Sequence, residues 1–442
     1  METLTRKSTS DNAKQLTLHV LDELIPHSLT GNVGIKLWDG TLWPDERPRR
    51  TLVTLNHPGS MRAMFLGANE VALGEAYLNN DFDIDGIAED VFPLADAISL
   101  LETSTWKKVR ALWELMHLPP RSNGHDHSNG HQNGQGHHRA QLRGKPHSVE
   151  RDKAAVAFHY NVSNEFFSLW LDKRMIYSCA YFKDDNTTLD EAQQRKLEHI
   201  CRKLTLQRGE TLLDIGCGWG GMIMYAAKHY GVQATGITLS EEQLEYAQKR
   251  ICEEGLEDQC KVQLRDYREI EGHEQYDKLV SVGMVEHVGK SMLPTYFKQA
   301  YSLLKPGGKF LNHGIGCIDD GSTASKSTFV DKHVFPDGEL AAIHEMLRAA
   351  EINRFEVRDV ENLREHYART LRKWVQRLEG HYDKALQIVD EKTYRVWRIY
   401  MAGSAYGFRS GSLDLYQSLL CKTLPGGKSN MPLTRDAWYI TN

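Results

Sequence analysis

The sequence predicts an α/β protein in which a doubly wound parallel sheet with helical additions follows a smaller mixed α/β domain. Three observations carry this prediction. Apolar strand segments alternate with amphipathic helical segments between residues 211 and 313. A glycine-rich turn follows the first of these strands. A polar stretch with almost no apolar residues separates this region from the N-terminal one.

The composition is that of an ordinary globular protein. The chain has 442 residues, enough for two domains, with 40% hydrophobic and 26% charged residues. Its net charge of −5 predicts no nucleic-acid partner. We expect no secretory signal and no membrane span, because the start lacks an apolar core and no run of about 18 apolar residues occurs. Seven cysteines without paired C-x-x-C spacing indicate a reducing compartment.

The pattern of residues 1–117 predicts a small mixed α/β domain, which we expect to associate with lipid or the membrane. Helical spacing covers residues 13–24, 68–78 and 88–101. Strand patterns cover 34–43, with a turn at Asp39-Gly40, and then 49–55 and 81–85. The region contains no recognisable catalytic constellation.

The segment WKKVRALWELMH, residues 106–117, predicts a basic amphipathic helix. One face carries Trp106, Val109, Trp113 and Met116, and the flanks carry Lys107, Lys108 and Arg110. Such a helix is typical of segments that lie at a bilayer interface. Short amphipathic helices more often bury their apolar face in their own domain, and we expect that here.

Residues 118–148 predict a flexible linker rich in Gly, Asn, Gln, Ser and His. So few apolar residues cannot bury enough surface to order the segment. Its histidines lack a scaffold and acidic or cysteine partners, so we expect no dedicated metal site.

The second domain, residues 149–442, contains the alternation. Helices are predicted at 152–171 and 188–204, the latter capped by Thr187 or Thr188. The predicted order is then strand 211–215, helix 220–230, strand 232–237, helix 240–254, strand 261–265, strand 277–282, helix 292–304 and strand 308–313. After Glu339 a largely helical region is predicted, with helices at 341–350, 363–379 and 384–401. Ligands of such sheets bind at the carboxyl ends of the strands.

The turn in TLLDIGCGWGG, residues 211–221, predicts a nucleotide-like ligand. Gly216, Gly218 and Gly221 give a G-x-G-x-x-G spacing, and Asp214 stands two residues before the first glycine. Glycine lets the backbone approach the ligand, and the following helix points its amides at it. The alternative is a tight strand–helix turn without a ligand.

Other polar residues follow the later strands. Thr238 and Gln243 are candidates for neutral hydrogen bonds to a ribose, although Ser240 also predicts an ordinary helix cap. Glu286, in MVEHVG, could orient a reacting partner or anchor a base. His313 ends a strand, where a role in a site is favoured over a role in the core. A cysteine among aromatic residues, such as Cys179, is usually inert.

Eight segments resemble the cyclopropane-fatty-acyl-phospholipid synthases, which are related to the mycolic acid cyclopropane synthases. They are HYNVSNEFF (159–167), MIYSCAYF (175–182), LLDIGCGWGG (212–221), GITLSEEQ (236–243), MVEHVG (284–289), FVDKHVFPDGEL (329–340), HYARTLRKW (366–374) and FRSG (408–411). The resemblance covers residues 150–440 and implies a Rossmann-like class I methyltransferase fold that uses S-adenosylmethionine (SAM).

The resemblance implies transfer of a methylene group from SAM to the cis double bond of an unsaturated phospholipid acyl chain. The alkene attacks the SAM methyl group, a carbocation forms, and bound bicarbonate removes a proton as the cyclopropane ring closes. An alkene is a weak nucleophile, so the pocket must be apolar, water-free and aromatic to protect the cation.

The site residues follow from the same resemblance. Bicarbonate would be held by Cys179, Glu286, His313, Tyr367 and the backbone of Ile315. SAM would be held by Tyr177, Ser178, Asp214, Gly216, Cys217, Gly218, Gly220, Thr238, Leu239, Gln243, Tyr267 and Arg268. Ser404 departs from several family members, which have a cysteine there, so a covalent cysteine mechanism at that position is excluded.

Several alternatives remain open from the sequence. A methyl-branched or methylene fatty acid could form from the same cation. A small-molecule N-methyltransferase is less compatible with the N-terminal domain. A non-enzymatic lipid-binding protein is less compatible with the full SAM loop. The resemblance implies an unsaturated phospholipid in a bilayer as substrate, a homodimer, and a cytoplasmic protein that is peripheral at the inner face of the membrane.

Overall fold

The computed structural model describes residues 2–67, 69–100, 105–121, 144–160, 162–318 and 328–439. The chain forms two compact units. Unit 1 comprises residues 1–138, 327–330 and 386–406, and unit 2 comprises residues 139–326, 331–385 and 407–442. The predicted linker falls mostly on residues 122–143, which lie outside the described residues.

Unit 1 contains a four-stranded sheet with helices. Its helices are α1 (Glu2–Leu24), α2 (Ser60–Phe65), α3 (Glu70–Leu78), α4 (Phe92–Leu100) and α5 (Thr105–His117), and its strands are β1 (Val33–Lys36), β2 (Leu42–Trp43), β3 (Thr51–Leu55) and β4 (Phe82–Asp85). The strand order is β2-β1-β3-β4, with β1 and β3 parallel and the other pairs antiparallel. The alternating burial of β3 places Val53 and Leu55 in the core.

Unit 2 is built on a seven-stranded sheet. Its strands are β5 (Thr211–Ile215), β6 (Gln233–Thr238), β7 (Cys260–Leu264), β8 (Tyr276–Val282), β9 (Leu304–Cys317), β10 (Glu356–Asn362) and β11 (Leu413–Cys421). The strand order is β10-β11-β9-β8-β5-β6-β7. The pairs among β5 to β9 are parallel, and β11 runs antiparallel to β9 and β10.

The remaining helices are α6 (Val149–Tyr160), α7 (Asn164–Ser168), α8 (Leu189–Leu204), α9 (Gly221–Tyr230), α10 (Glu241–Glu253), α11 (Leu293–Leu303), α12 (Phe329–His333), α13 (Ile343–Ile352), α14 (Arg364–Gly380), α15 (Tyr382–Ile388) and α16 (Glu391–Ser410). Two apolar layers cover the sheet of unit 2. Leu212 packs in the layer that contains residues of α8, α9 and α10, whereas Leu213 packs in the layer that contains residues of α11 and α13. Successive β5 residues therefore face opposite layers, as strand geometry requires.

Helix α8 is fixed at its start by a capping box, in which Thr188 accepts from the Glu191 amide and the Glu191 carboxylate accepts from the Thr188 amide. Its buried face includes the apolar Leu197 and Ile200 but also the polar Gln193 and Lys196. The cap thus sets the position of two polar side chains that enter the interior.

The prediction of a doubly wound α/β sheet is confirmed, but two strands were missed. The segments of β10 and β11 were expected in a largely helical region. Strand β10 carries Glu356, Arg358, Asp359 and Glu361, a charged pattern typical of an edge strand. Strand β11 enters antiparallel between β9 and β10, so the sheet is mixed and not wholly parallel.

The expectation that the tryptophan-bearing face of α5 packs inside its own domain is wrong for the described side chains. Ala111 and Leu115 are buried, whereas Leu112, Trp113 and Met116 are 44%, 54% and 49% exposed. The side chains of Trp106, Lys107, Lys108 and Val109 lie outside the described residues. The buried face is the narrow one that carries Glu114, whose carboxylate bonds His19 and Arg110.

Among the described residues, no helix is both long and apolar enough to span a membrane. The same residues contain no group of three or more His, Cys, Asp or Glu side chains arranged to hold a metal ion. The linker histidines between residues 122 and 143, for which we expect no dedicated metal site, lie outside the described residues.

Candidate active site

The turn between β5 and α9 forms the floor of a cavity in unit 2. Gly216, Gly218 and Gly220 have φ angles of 84°, 53° and 82°. These left-handed conformations favour glycine. A Cβ on Gly218 would meet no heavy atom within 4 Å, so this backbone borders open space that a ligand can approach.

The cavity brings together almost all residues predicted to hold SAM. Its lining includes Tyr177, Ser178, Asp214, Gly216, Cys217, Gly218, Thr238, Leu239, Gln243, Tyr267 and Arg268. Gly220 is the exception. It caps α9, and a Cβ there would lie 3.2 Å from the Ala247 Cβ, so it serves helix packing. Gly221 lines the cavity in its place.

Asp214 gives the cavity a buried carboxyl. Its side chain is 2% exposed, and Oδ1 has no hydrogen-bond partner among the described residues. Burial raises its pKa to about 7, and the charge of Lys196 opposes this rise. An unpaired carboxylate oxygen in such a place is suited to accept hydrogen bonds from a cationic ammonium group.

The end of β6 supplies neutral hydrogen-bonding groups. Thr238 Oγ1 donates to Gln243 Oε1 at 2.7 Å, and the Gln243 amide donates to Ser240 Oγ at 3.2 Å. Ser240 therefore caps α10 while Thr238 and Gln243 line the cavity. The segment therefore both caps a helix and lines the cavity, as the sequence allowed.

Arg268 closes the side of the cavity that follows β7. Its guanidinium donates to both oxygens of Asp266, to Asp152 and to the His147 carbonyl. These bonds occupy its donors and fix the adjacent Tyr267 ring, whose centroid lies 5.4 Å from the guanidinium carbon. Arg268 therefore forms part of the cavity wall, and its charge is already paired with Asp266 and Asp152.

The cavity has the chemistry that SAM requires. Glycine backbone borders it, an orphaned carboxylate oxygen suits the amino group, and neutral hydroxyl and amide groups suit the ribose. When bound, SAM would supply an electrophilic methyl group at the carboxyl end of the sheet.

A second polar cluster centres on Glu286, in the 3₁₀ turn Val285–His287 after β8. Glu286 Oε1 accepts a 2.7 Å hydrogen bond from the Ile315 amide on β9. Its Oε2 is buried and has no partner among the described residues. Burial raises the pKa of this carboxyl to about 7, while the Ile315 bond opposes the rise.

His313 lies two residues before Ile315 on β9. Its Nδ1 lies 3.2 Å from Nε2 of Gln417 on β11, and its Nε2 is buried without a partner in the described chain. Burial holds the pKa of His313 far below its ordinary value, with Lys196 and Lys203 acting in the same direction. If Gln417 donates to Nδ1, the neutral imidazole carries its proton on Nε2, which then becomes a donor.

Cys179 and Tyr367 both contact the backbone of Leu363, which is hydrogen-bonded to β11, the strand beside β9. The Leu363 carbonyl accepts from the Tyr367 amide at 3.1 Å and lies 3.9 Å from the Cys179 sulfur. The Leu363 amide donates to Leu415, which pairs with Ile315 across the sheet. Burial raises the pKa of the Cys179 thiol, so it stays protonated and is not a nucleophile.

A group of aromatic rings packs around Tyr177, which lines the cavity. The Tyr177 and Trp374 centroids are 5.2 Å apart, and the Tyr367 ring lies 6.0 Å from Trp374 and 4.6 Å from Phe408. Trp170, which is fully buried, packs on Tyr177 and Trp374. Such faces can stabilise positive charge where water is absent.

Some cavity residues were not predicted from the sequence. They include Asp152, Lys196 and Met284, whereas Trp219 and His287 line the cavity from segments that were expected at the site. Burial lowers the pKa of His287 to about 4, so it is neutral. Lys196 had a detectable signal, because a lysine stands among the apolar positions of the amphipathic helix α8.

The comparisons with known proteins identify the family. A family model described as mycolic acid cyclopropane synthetase matches residues 147–418. A probable fatty acid methyltransferase from Pseudomonas putida is 37% identical over 409 residues, which are 92% of this chain and 95% of that protein. The cyclopropane-fatty-acyl-phospholipid synthase of Escherichia coli (strain K12) is 38% identical over 269 residues, 61% of this chain and 68% of that protein.

A solved structure matches the same region. Mycolic acid cyclopropane synthase CmaA1, complexed with SAH and CTAB, has a TM-score of 0.58 and 34% identity, covering 61% of this chain and 97% of that chain. The family model covers more than half of the chain, and the relatives agree with it. The chain therefore belongs to the mycolic acid cyclopropane synthetase family and is a SAM-dependent methyltransferase of the cyclopropane synthase type.

Proposed function

We propose that this enzyme transfers a methylene group from SAM to the cis double bond of an unsaturated phospholipid acyl chain and forms a cyclopropane ring. The observation that carries the proposal is the Glu286 carboxyl. One oxygen is held by the Ile315 amide, the other is free and buried, and the pKa of about 7 allows ionisation near neutral pH. A placed, titratable group of this kind suits the deprotonation that ring closure requires.

The aromatic lining supports an alkene as the nucleophile. In the proposed reaction an alkene carbon forms a bond to the SAM methyl carbon, the carbon–sulfur bond breaks, and S-adenosylhomocysteine (SAH) leaves. Positive charge then develops on the acyl chain. The rings of Tyr177, Tyr367 and Trp374 can stabilise that charge and exclude water that would trap it.

Bicarbonate is the proposed occupant of the Glu286 cluster. Two buried polar atoms there, Glu286 Oε2 and His313 Nε2, have no partner among the described residues. A small anion that also has a hydroxyl proton could use both, the imidazole as donor and the carboxylate as acceptor. We propose that Cys179, Tyr367 and the Ile315 backbone complete the site. Bicarbonate bound there would supply a base that is a weak nucleophile toward a carbocation.

Methyl branching is the second candidate product. The Pseudomonas putida relative, which matches nearly the whole chain, is named a probable fatty acid methyltransferase. A 1,2-hydride shift would move the positive charge of the same carbocation to the methylated carbon. Loss of a proton from the new methyl group then gives a methylene-branched chain, and loss from the neighbouring chain carbon gives a methyl-branched alkene. The buried base cluster favours ring closure.

The product decides between these candidates. The purified full chain is incubated with SAM and vesicles of monounsaturated phospholipid, and the acyl chains are analysed by mass spectrometry and proton NMR. We expect a gain of one methylene with ring protons at high field. Olefinic protons, from a methylene branch or from a methyl-branched alkene, would contradict ring closure. Vesicles of saturated phospholipid are the control and should give no product.

The bicarbonate assignment has its own test. Turnover is compared in buffer freed of carbon dioxide and in the same buffer with bicarbonate restored. We expect the rate to fall on depletion and to recover on addition, while SAH affinity stays constant. A rate that is indifferent to bicarbonate would contradict the assignment without affecting the proposed substrate.

We also propose that α5 brings the enzyme to the membrane surface. Leu112, Trp113 and Met116 form an exposed apolar face, which we call the α5 face, and Trp113 stacks on His117 at 3.9 Å. Exposed tryptophan beside aliphatic side chains is typical of interfacial helices. The substrate, a phospholipid, would be met at this surface.

A further inference from the structure

Lys196 is a buried cation that the reaction as proposed does not use. It lies in the middle of α8, with 2% of the residue exposed. Its Nζ donates to Ser178 Oγ at 3.0 Å. Within the described residues this is its one hydrogen bond, and no carboxylate lies within the 4.0 Å of an ion pair. An ammonium has three donors, and leaving a buried charge unpaired is unfavourable.

Lys196 lines the SAM cavity. Lys196, Ser178 and Asp214 line the same part of it. The other two long cations of the lining are engaged elsewhere: Arg268 by Asp266 and Asp152, and Arg265 by the Glu269 carbonyl. Among the described cations of the lining, Lys196 is the fully buried one, and two of its three donors remain available.

Ser178 is prepared for an anion by this contact. Its oxygen accepts from Lys196, so its own O–H is free to donate. Burial lowers the pKa of Lys196 to about 8, while Asp172, Cys179 and Asp214 oppose this effect. The lysine thus retains its charge in neutral solution.

We propose that Lys196 and Ser178 bind the α-carboxylate at the amino-acid end of SAM, while the free oxygen of Asp214 takes the α-ammonium. A carboxylate accepts hydrogen bonds only, and charge-assisted bonds from an ammonium and a hydroxyl satisfy it. The zwitterionic end of SAM would then meet a zwitterionic site. The inference rests on SAM as co-substrate and is independent of which acyl product is formed.

Lys196 could instead serve folding alone, by balancing the charges of Asp172 and Asp214. The two roles differ in what they predict for ligands. A carboxylate-binding lysine discriminates between ligands that have the amino-acid end and ligands that lack it. A lysine that serves folding alone does not.

The experiment compares SAH with 5′-methylthioadenosine, which keeps the adenosine and sulfur but lacks the carboxylate and ammonium. Dissociation constants are measured by calorimetry at pH 7 on the full chain. For Lys196→Met we expect the Kd of SAH to rise about 10- to 100-fold. The Kd of 5′-methylthioadenosine should change by less than about twofold.

Lys309→Met is the matched control. Lys309 is equally buried, bonds Thr205 and has a pKa lowered to about 8, but it does not line the cavity. Its loss should leave the ratio of the two dissociation constants unchanged. If Lys196→Met fails to fold, Ser178→Ala replaces it, with an expected loss of about 3- to 10-fold for SAH alone. Equal weakening of both ligands, or unchanged SAH affinity, would overturn the proposal.

Discussion

At the scale of single residues, the chemistry depends on carboxyl groups held away from water. Glu286 and Asp214 both have a pKa of about 7 because burial disfavours their charged forms. They differ in their partners. Glu286 is fixed by the Ile315 amide, whereas Asp214 faces Lys196 across a cavity that SAM would fill. One carboxyl is suited to move a proton and the other to hold a charge.

The rate should depend on the ionisation of Glu286. Its carboxylate predominates above about pH 7, and only that form can accept, at Oε2, the hydroxyl hydrogen of the bicarbonate that we propose as the base. We expect kcat, measured at constant bicarbonate ion concentration, to fall as the pH drops through about 7. Glu286→Gln should lower kcat by about 100- to 10,000-fold with an SAH affinity like that of the wild type.

The control for this variant is Glu351→Gln, at an exposed position of α13, which should behave as the wild type. A wild-type rate that does not change between pH 6 and pH 8 would contradict the role given to Glu286. So would a Gln variant that keeps full turnover.

Asp214→Asn should stabilise the SAM-free protein at high pH. The raised pKa means that the folded state binds more protons than the unfolded state between pH 3.8 and about 7, so wild-type stability falls as pH rises through that window. Asparagine removes this penalty. We expect its Tm relative to wild type to be more favourable at pH 8 than at pH 5 by about 2–5 °C.

The same substitution should weaken SAH binding, because the orphaned oxygen is then an amide group. Differential scanning fluorimetry with and without SAH reports both effects. A Tm difference that is the same at both pH values would show that the pKa of Asp214 in the folded protein is not raised above its value in the unfolded chain.

At the scale of elements, the β5–α9 turn separates glycines that serve the ligand from glycines that serve the fold. A Cβ on Gly218 would enter open space at the cavity, whereas a Cβ on Gly220 would press on Ala247. Both positions have positive φ, so alanine is strained in both, by roughly 1–2 kcal/mol.

Alanine at Gly218 should therefore affect mainly ligand binding, and alanine at Gly220 should affect mainly stability. Gly218→Ala should raise the Kd of SAH about tenfold or more, because the methyl group lies where the ligand approaches. Gly220→Ala should lower the Tm by more than Gly218→Ala does, with a smaller change in Kd. Calorimetry and thermal unfolding measure the pair, and the opposite ranking would refute the assignment of the two glycines.

The elements that the sequence predicted well are those with a strong local pattern. The predicted strands 211–215 and 277–282 agree within a residue with β5 and β8, because buried parallel strands are short apolar runs between turn signals. Strands β10 and β11 were missed because their identity depends on each other. Strand β11 pairs with β9, about a hundred residues earlier, and β10 pairs with β11, about sixty residues later, so neither pairing is visible in a local window.

The candidate site was predicted to a similar extent. Asp214 and Thr238 were predicted correctly as lining residues because each has a fixed position within a recognisable sequence motif. Lys196 was missed because its role arises from α8 packing against the loop that carries Ser178. Gln417, which orients His313, sits on the missed strand β11.

At the scale of the whole molecule, the chain returns to its first unit after building most of the second. Residues 386–406 of α15 and α16 belong with residues 1–138. Within unit 1, Arg395 bonds the Tyr77 carbonyl and Asp83, and Arg398 bonds the Tyr77 hydroxyl. Removing the N-terminal region would expose these buried cations, so the role of unit 1 must be tested by point substitutions.

The α5 face gives such a test. Replacing Trp113 and Met116 together by alanine should lower binding to anionic monounsaturated vesicles about threefold or more, because both side chains are exposed and apolar. SAH affinity should not change. Co-sedimentation measures the effect, and Leu433→Ala, which removes a fully exposed leucine in unit 2, is the control.

Equal vesicle binding by the double variant and the wild type would remove α5 from the proposed membrane surface. Loss of binding in the Leu433 control as well would point to a general effect of surface apolarity and would equally contradict the proposal.

The late position of β11 in the chain has a consequence for biosynthesis. Strand β9, which carries His313 and Ile315, is completed at Cys317, but its neighbour β11 begins only at Leu413. At about 5–20 residues per second, the ribosome leaves that edge unpaired for roughly 5–20 s. The nascent protein can therefore hold the SAM turn before it holds a finished base cluster. The proposed site is therefore complete only after β11 has been synthesised and has paired with β9. Until then the unpaired edge of β9 is the part of the sheet that needs protection from aggregation.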